Sequence, residues 1–180
     1  PMLAHPLQCS GRMLLVLAVG LFMIPLFFPG DTSFFCDPPM FMLQAYKANR
    51  DGVLASQVLL GNFGAEYHPM PIWILQGFLL LSHNLIALTL VKTIIAVAIT
   101  MAALYVCGRC LRIPRLLLLL PFLSPYFFCY QRMLWDNVWL IPGAALLLAG
   151  HAAFARRRSR IGLVVSMAAA CFMFHIHPMC

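Results

Sequence analysis

The chain has 180 residues, of which 63% are hydrophobic and 9% charged, with a net charge of +7 and a mean hydropathy of +0.90. Soluble domains carry about 25% charged residues, and a chain of this length cannot enclose so much apolar surface. The composition excludes an ordinary soluble domain and points to a polytopic membrane protein of the all-α class; the basic excess alone gives no case for nucleic-acid binding.

The chain begins with Pro1 and stops at Cys180 within or just after an apolar run, so it is expected to be the N-terminal part of a larger protein. Residues 1–12 hold one charge, Arg12. Residues 13–29 are apolar and, at ~1.5 Å per residue, reach ~26 Å, a slightly short crossing. That run exceeds the ~7–15 apolar residues of a signal-peptide core and has no A-x-A-like cleavage site. The outer loop, residues 30–84, opens with GDTSFFCDPPMFMLQAY, in which Asp31 and Asp37 stand where the first span leaves the lipid. A carboxylate there has water on one side and a low-dielectric wall on the other, which suits a general base acting on a lipid-borne substrate. Asp37-Pro-Pro is expected to open an amphipathic helix over about residues 38–50, with Asp37 as N-cap and Gly52 as its end. A short segment over 53–60 follows, then a loop marked by the glycines and prolines of GNFGAEYHPMP.

Residues 72–81 are apolar for only about ten positions. Full spans are expected near 85–107, 116–130 (with Pro121 and Pro125), 138–155 and 161–175. The arginine clusters at 109–115 and 156–160 mark two cytoplasmic turns, and Arg12 puts the N-terminus on the same side. Five spans satisfy this arrangement only if 72–81 stays outside as a juxtamembrane helix. All five acidic residues, Asp31, Asp37, Asp51, Glu66 and Asp136, then fall on the outer side. Orientation explains the basic bias, but acidic residues contribute little to it, so their one-sidedness is consistent with either longer outer loops or an extracytoplasmic site.

Several pieces in this order resemble the GT-C superfamily of membrane glycosyltransferases, in the branch of protein O-mannosyltransferases and lipid A aminoarabinose transferases. They are the acidic loop after a first span; Tyr67-His68-Pro69-Met70-Pro71 leading into an apolar helix; Gly108-Arg109-Cys110-Leu111 closing the second span; Arg132 to Asn137 (RMLWDN) opening the fourth; and His175-Ile-His177-Pro ending the fifth. The resemblance implies transfer of a sugar from a polyprenyl-phosphate donor to a lipid, glycan or protein acceptor on the extracytoplasmic face, in a bacterial inner membrane. It also implies a base in the first outer loop, at Asp37 with Asp31 as runner-up, although many relatives have Asp-Glu where this chain has Asp37-Pro38. It names no organic cofactor and leaves room for a divalent metal.

The chemistry would need a base, a cation for the leaving phosphate, and a dry groove beside a wet pocket. Asp136 near Arg132 could shape such a site or simply anchor a helix end. Lys92, two turns inside its span, could hold the donor phosphate or snorkel to the surface; left unpaired it costs about 2.5–3.5 kcal/mol. Glu66, Tyr67 and His68 form a polar cluster in the loop before residues 72–81. His175 and His177 share a metal only if the chain leaves the helix there, because i and i+2 do not face one way. Trp73, Trp135 and Trp139 are expected as interfacial anchors. The seven cysteines do not form a disulfide framework, and the lone Cys107–Cys110 pair reads as small apolar packing before metal or redox chemistry. No phosphate loop, nucleophile elbow or HExxH motif is present. The alternative in another class is a membrane transporter or non-catalytic scaffold, which would favour broken helices with midplane charges.

Overall fold

A computed structural model describes residues 37–56, 68–124, 127, 131, 133, 134 and 136–177. The first span at 13–29, together with Asp31, Glu66, Tyr67, Arg132 and Trp135, lies outside the described residues. Among the described residues the fold is all-helical, with no strand.

Helix α1 covers Asp37–Arg50. Phe41, Met42, Ala45 and Ala48 form its buried face, while Met40, Leu43 and Tyr46 are about half exposed on the other. Lys47 and Arg50 in the last turn complement the helix dipole. Gly52, at φ +67°, then reverses the chain, and the Val53 amide donates back to the Ala48 carbonyl. Residues 53–56 are not helical.

Helix α2 covers Met70–Leu79, with proline in its first turn. Ten residues extend only about 15 Å, so α2 cannot cross a bilayer. It is tied to the turn after α1 through one buried residue, Gln76. The Gln76 Nε2 donates to Asn49 Oδ1 and to the Val53 carbonyl, both at 2.9 Å, and its Oε1 accepts from the Ala55 amide at 3.0 Å. Asn49 Nδ2 donates to the Gln76 carbonyl at 2.9 Å, and Trp73 Nε1 donates to the Ala55 carbonyl at 2.8 Å.

Helix α3 covers Leu85–Leu111 and is capped by the Asn84 side chain, which accepts from the amides of Ile86 and Ala87. Helices α4, Leu140–Arg157, and α5, Arg160–Ile176, form a tight hairpin. Two helical segments are long and apolar enough to cross a membrane, Leu85–Leu111 and Asp136–Arg157. At 17 residues α5 is slightly shorter.

α3 and α4 run parallel, because Ala103, Cys107 and Cys110 of α3 meet Ala145, Ala149 and Ala152 of α4 in one cluster. Side chains this small let two helices approach closely with little loss of rotamer freedom. α5 returns antiparallel against α4 through a glycine contact: a Cβ added at Gly150 would lie 2.6 Å from the Gly162 carbonyl oxygen, and one at Gly162 would lie 2.7 Å from the Gly150 carbonyl oxygen. Neither helix tolerates a side chain at the crossing.

The stretch expected as a single α-helical span over 116–130 departs from that form in its first part, while Phe127 and, just beyond the stretch, Gln131 are α-helical. Residues Arg115–Leu123 make a 3-10 helix, and Ser124 is extended. This stretch runs back along α3: Leu118 lies against Gly108, Phe122 and Phe127 pack with Val97, and Gln131 meets Thr93. A 3-10 helix rises about 2.0 Å per residue against 1.5 Å for an α-helix, so it covers more of α3 with fewer residues. Pro121 also withholds an amide that a continuous α-helix would use. A second 3-10 turn, Asp136–Trp139, leads into α4.

Two of the expected anchors behave differently. Trp73 is 41% exposed, as a boundary residue would be. Trp139 is buried, stacked on Phe78 with ring centroids 6.0 Å apart, because the 3-10 turn directs it under α2 and away from the rim.

Candidate functional site

The parallel pairing of α3 with α4 gives the molecule two chemically distinct poles. At one pole the last turns of both helices gather Arg109, Arg112, Arg156 and Arg157 around one cavity. At the other, α1, α2 and the start of α4 enclose Lys92 and Asp136, which line one pocket with Phe41, Pro71, Leu75, Phe78, Leu134 and Trp139.

Lys92 does not snorkel. Its side chain is 1% exposed, and its ammonium donates to the carbonyls of Gln131 and Met133, the latter at 2.7 Å. Thr93 adds a hydroxyl donated to the same Gln131 carbonyl at 2.6 Å. α3 thus supplies both donor side chains, and the return stretch supplies both carbonyls. An ammonium carries three protons, so two carbonyl bonds leave one directed elsewhere. Around it the free space is about 10 Å³, the room of a single water.

Asp136 is 3% exposed. The turn Asp136–Trp139 buries it from one side while Phe41, Phe78 and Trp139 wall the pocket from the other. The backbone places Asp37 at the head of α1, one turn before Phe41 and on the same face. The two candidate carboxylates therefore belong to elements that meet at this pocket; the side chain of Asp37 lies outside the described residues.

His68 and the end of α5 also meet at this pole. The rings of His68 and His175 are 4.8 Å apart in an edge-to-face arrangement, and Phe174 lies 5.3 Å from His68. His177 caps α5 in an extended conformation, so the chain does leave the helix between the two histidines. Burial holds the His177 imidazole below its ordinary pKa, which favours its neutral form. Among the described residues no three His, Cys, Asp or Glu side chains converge as a metal would require.

Two residues at this pole carry chemistry that sequence reasoning passed over. Gln131 is fully buried, and both atoms of its side-chain amide have no hydrogen-bond partner among the described residues. Gln76 is the polar hub of α2. The signal for Gln76 was a lone amide in an otherwise apolar stretch, MPIWILQGFL, whereas Gln131 opens the polar break QRMLWDN beside the charged Arg132. Buried amides are retained where they hold backbone or a ligand.

Outside the pocket, Pro39, Met42, Leu43, Tyr46, Leu79, His83 and Leu85 line an open, mostly apolar groove of about 550 Å³. The Tyr46 and His83 rings meet edge-on across it, with centroids 6.2 Å apart. One pole thus combines a buried cation, a buried carboxylate, paired histidines and an apolar groove. Comparison with protein-family models, curated proteins and solved structures gives no match, so these residues and their geometry are what a functional reading rests on.

Proposed function

We propose that the chain is part of an integral membrane glycosyltransferase of the GT-C type, working at the pole that holds Asp37, Lys92 and Asp136. The observation that carries this reading is a buried carboxylate and a buried ammonium lining one apolar-walled pocket, close to the helix that begins at Asp37. Ionisable groups are retained in such surroundings at a cost, and that cost is usually met by function.

In this reading Asp37 takes the proton from the acceptor hydroxyl. The acceptor oxygen bonds to the anomeric carbon of the sugar, and the carbon–oxygen bond to the donor phosphate breaks. Polyprenyl phosphate leaves with its extra negative charge, which Lys92 and Arg132 offset. The third proton of Lys92 is available for this once the one-water space beside it widens. The groove along Met42, Leu43 and Leu79 supplies an apolar bed for the prenyl chain, and His68 beside His175 borders the acceptor side; in this reading Glu66, Tyr67 and His177 also take part in substrate binding. Asp31 is the alternative base, and a divalent metal is compatible with the acidic pole.

The test is Asp37→Asn and Asp136→Asn in the full-length protein, reconstituted in liposomes with a labelled polyprenyl-phosphate sugar. Loss of the base should lower transfer by about 10²–10⁴-fold while the fold is kept. Undiminished transfer by a folded Asp37→Asn protein removes Asp37 from the mechanism. Solute flux through the same liposomes without transfer would instead mark a transporter.

A further inference from the structure

The arginine pole carries a site that the proposed transfer chemistry does not use. Arg109, Arg112, Arg156 and Arg157, with Cys110 and Leu111, line an open cavity of about 630 Å³ between the ends of α3 and α4. That volume is typical of small-ligand sites. Orientation in a membrane needs positive charge on the correct side, but it does not need guanidiniums from two helices to converge on one cavity. Among the described residues the one carboxylate–cation pair is Arg50 with Asp51, on α1 and its turn, so none of the four arginines has a carboxylate within 4.0 Å. Four like charges around one cavity repel one another, and the carbonyl ends of the two helices, worth about half a negative charge each, offset that only in part.

The backbone adds a second observation. Arg112 and Arg158, the residues that close α3 and α4, sit in the left-handed region at φ +59° and +52°. Glycine is the usual occupant of this position, and a side chain there costs about 1 kcal/mol. Arg112, one of the two, lines the cavity.

We infer that this cavity binds the phosphate headgroup of an anionic phospholipid of the surrounding leaflet. Guanidiniums recognise phosphate oxygens through paired N–H donors, and basic pockets between membrane helices suit such headgroups. The cavity lies at the ends of two helices that are long enough to cross a bilayer, and a helix that crosses ends at headgroup depth. Leu111, in the cavity lining and 40% exposed, offers apolar surface to the adjoining acyl chains. This inference is independent of the glycosyltransferase reading.

The full chain in nanodiscs of phosphatidylcholine with a minority of phosphatidylglycerol, released into detergent and weighed by native mass spectrometry, tests it. Wild-type protein should retain phosphatidylglycerol selectively. Arg109→Gln with Arg156→Gln should lower retention about tenfold or more, and Arg109→Lys with Arg156→Lys should fall between, since lysine keeps charge without the fork. Arg158→Gln with Arg160→Gln removes the same charge from the same pole outside the cavity lining and should leave retention unchanged. Far-UV circular dichroism and melting confirm that each variant is folded. Equal loss in both glutamine pairs, or no selective retention by the wild type, overturns the site. Binding of inorganic phosphate at millimolar concentration, dependent on Arg109 and Arg156 but without retained lipid, would overturn the lipid source.

Discussion

Gln76 gives the sharpest stability prediction. Its side chain makes three hydrogen bonds, to Asn49 Oδ1, the Val53 carbonyl and the Ala55 amide, and they join α1's turn to α2 across 21 to 27 residues of chain. Gln76→Leu keeps most of the volume and the apolar contacts but removes all three bonds. At about 1 kcal/mol net for each, the loss is about 3 kcal/mol. Gln76→Glu is the discriminating partner. Its carboxylate still accepts from Ala55, but it turns an oxygen toward two other acceptors, Asn49 Oδ1 and the Val53 carbonyl. Asn49 cannot rotate its amide to help, because its Nδ2 already donates to the Gln76 carbonyl. The introduced carboxyl is therefore expected to bind its proton more tightly in the folded state than in the unfolded one. A folded pKa raised in this way makes the variant most stable below about pH 4.3, the ordinary value of a glutamate, and less so as pH rises from there toward the raised value. Denaturant unfolding in mild detergent and amide exchange at Ala55 measure both effects. Unchanged midpoints for Gln76→Leu, or a Gln76→Glu protein insensitive to pH, would refute the hub.

Other predictions follow from packing, backbone and protonation. Gly150→Ala forces a Cβ to within 2.6 Å of the Gly162 carbonyl oxygen, so the α4–α5 hairpin should loosen by about 1–3 kcal/mol in detergent unfolding. Gly77→Ala, with nothing within 4 Å of its added Cβ, should be neutral or stabilising by about 0.5–1 kcal/mol, which makes it the control. Arg158→Gly relieves a left-handed side chain and should raise stability by about 1 kcal/mol, read as a shift in unfolding midpoint. His177 is held below its ordinary value of 6.5 by burial, so the folded state binds fewer protons than the unfolded state between those two values. Its contribution is complete above about pH 6.5 and should decline as pH falls through the lowered value; a pH series comparing wild type with His177→Gln isolates that slope.

The helical elements and their ends were largely legible from the chain. Asp37-Pro-Pro starts α1, Gly52 ends it at positive φ, and the apolar stretch at 72–81 becomes a helix too short to cross. These are local signals, written in propensity and length. The 3-10 form of 115–123 was not legible, because five consecutive leucines satisfy either helix and the choice depends on the distance to be covered along α3. The burial of Trp139 was hidden for a similar reason: an aromatic near a predicted boundary faces inward or outward according to the turn that precedes it. At the candidate site, Lys92 and Asp136 were singled out as expensive charges in an apolar context, and they do share a pocket. The carbonyls that Lys92 holds could not be foreseen, since backbone groups carry no sequence signature. The meeting of His68 with His175 likewise depends on α5 folding back along α4, which the two stretches do not reveal when read apart.

The hold of Lys92 on the carbonyls of Gln131 and Met133 fixes where the 3-10 return leg must finish. The carboxylate at 136, only three residues beyond that clasp, keeps its address. Because the clasp grips backbone oxygens, it does not depend on which side chains stand at 131 and 133, and those positions can vary without releasing it.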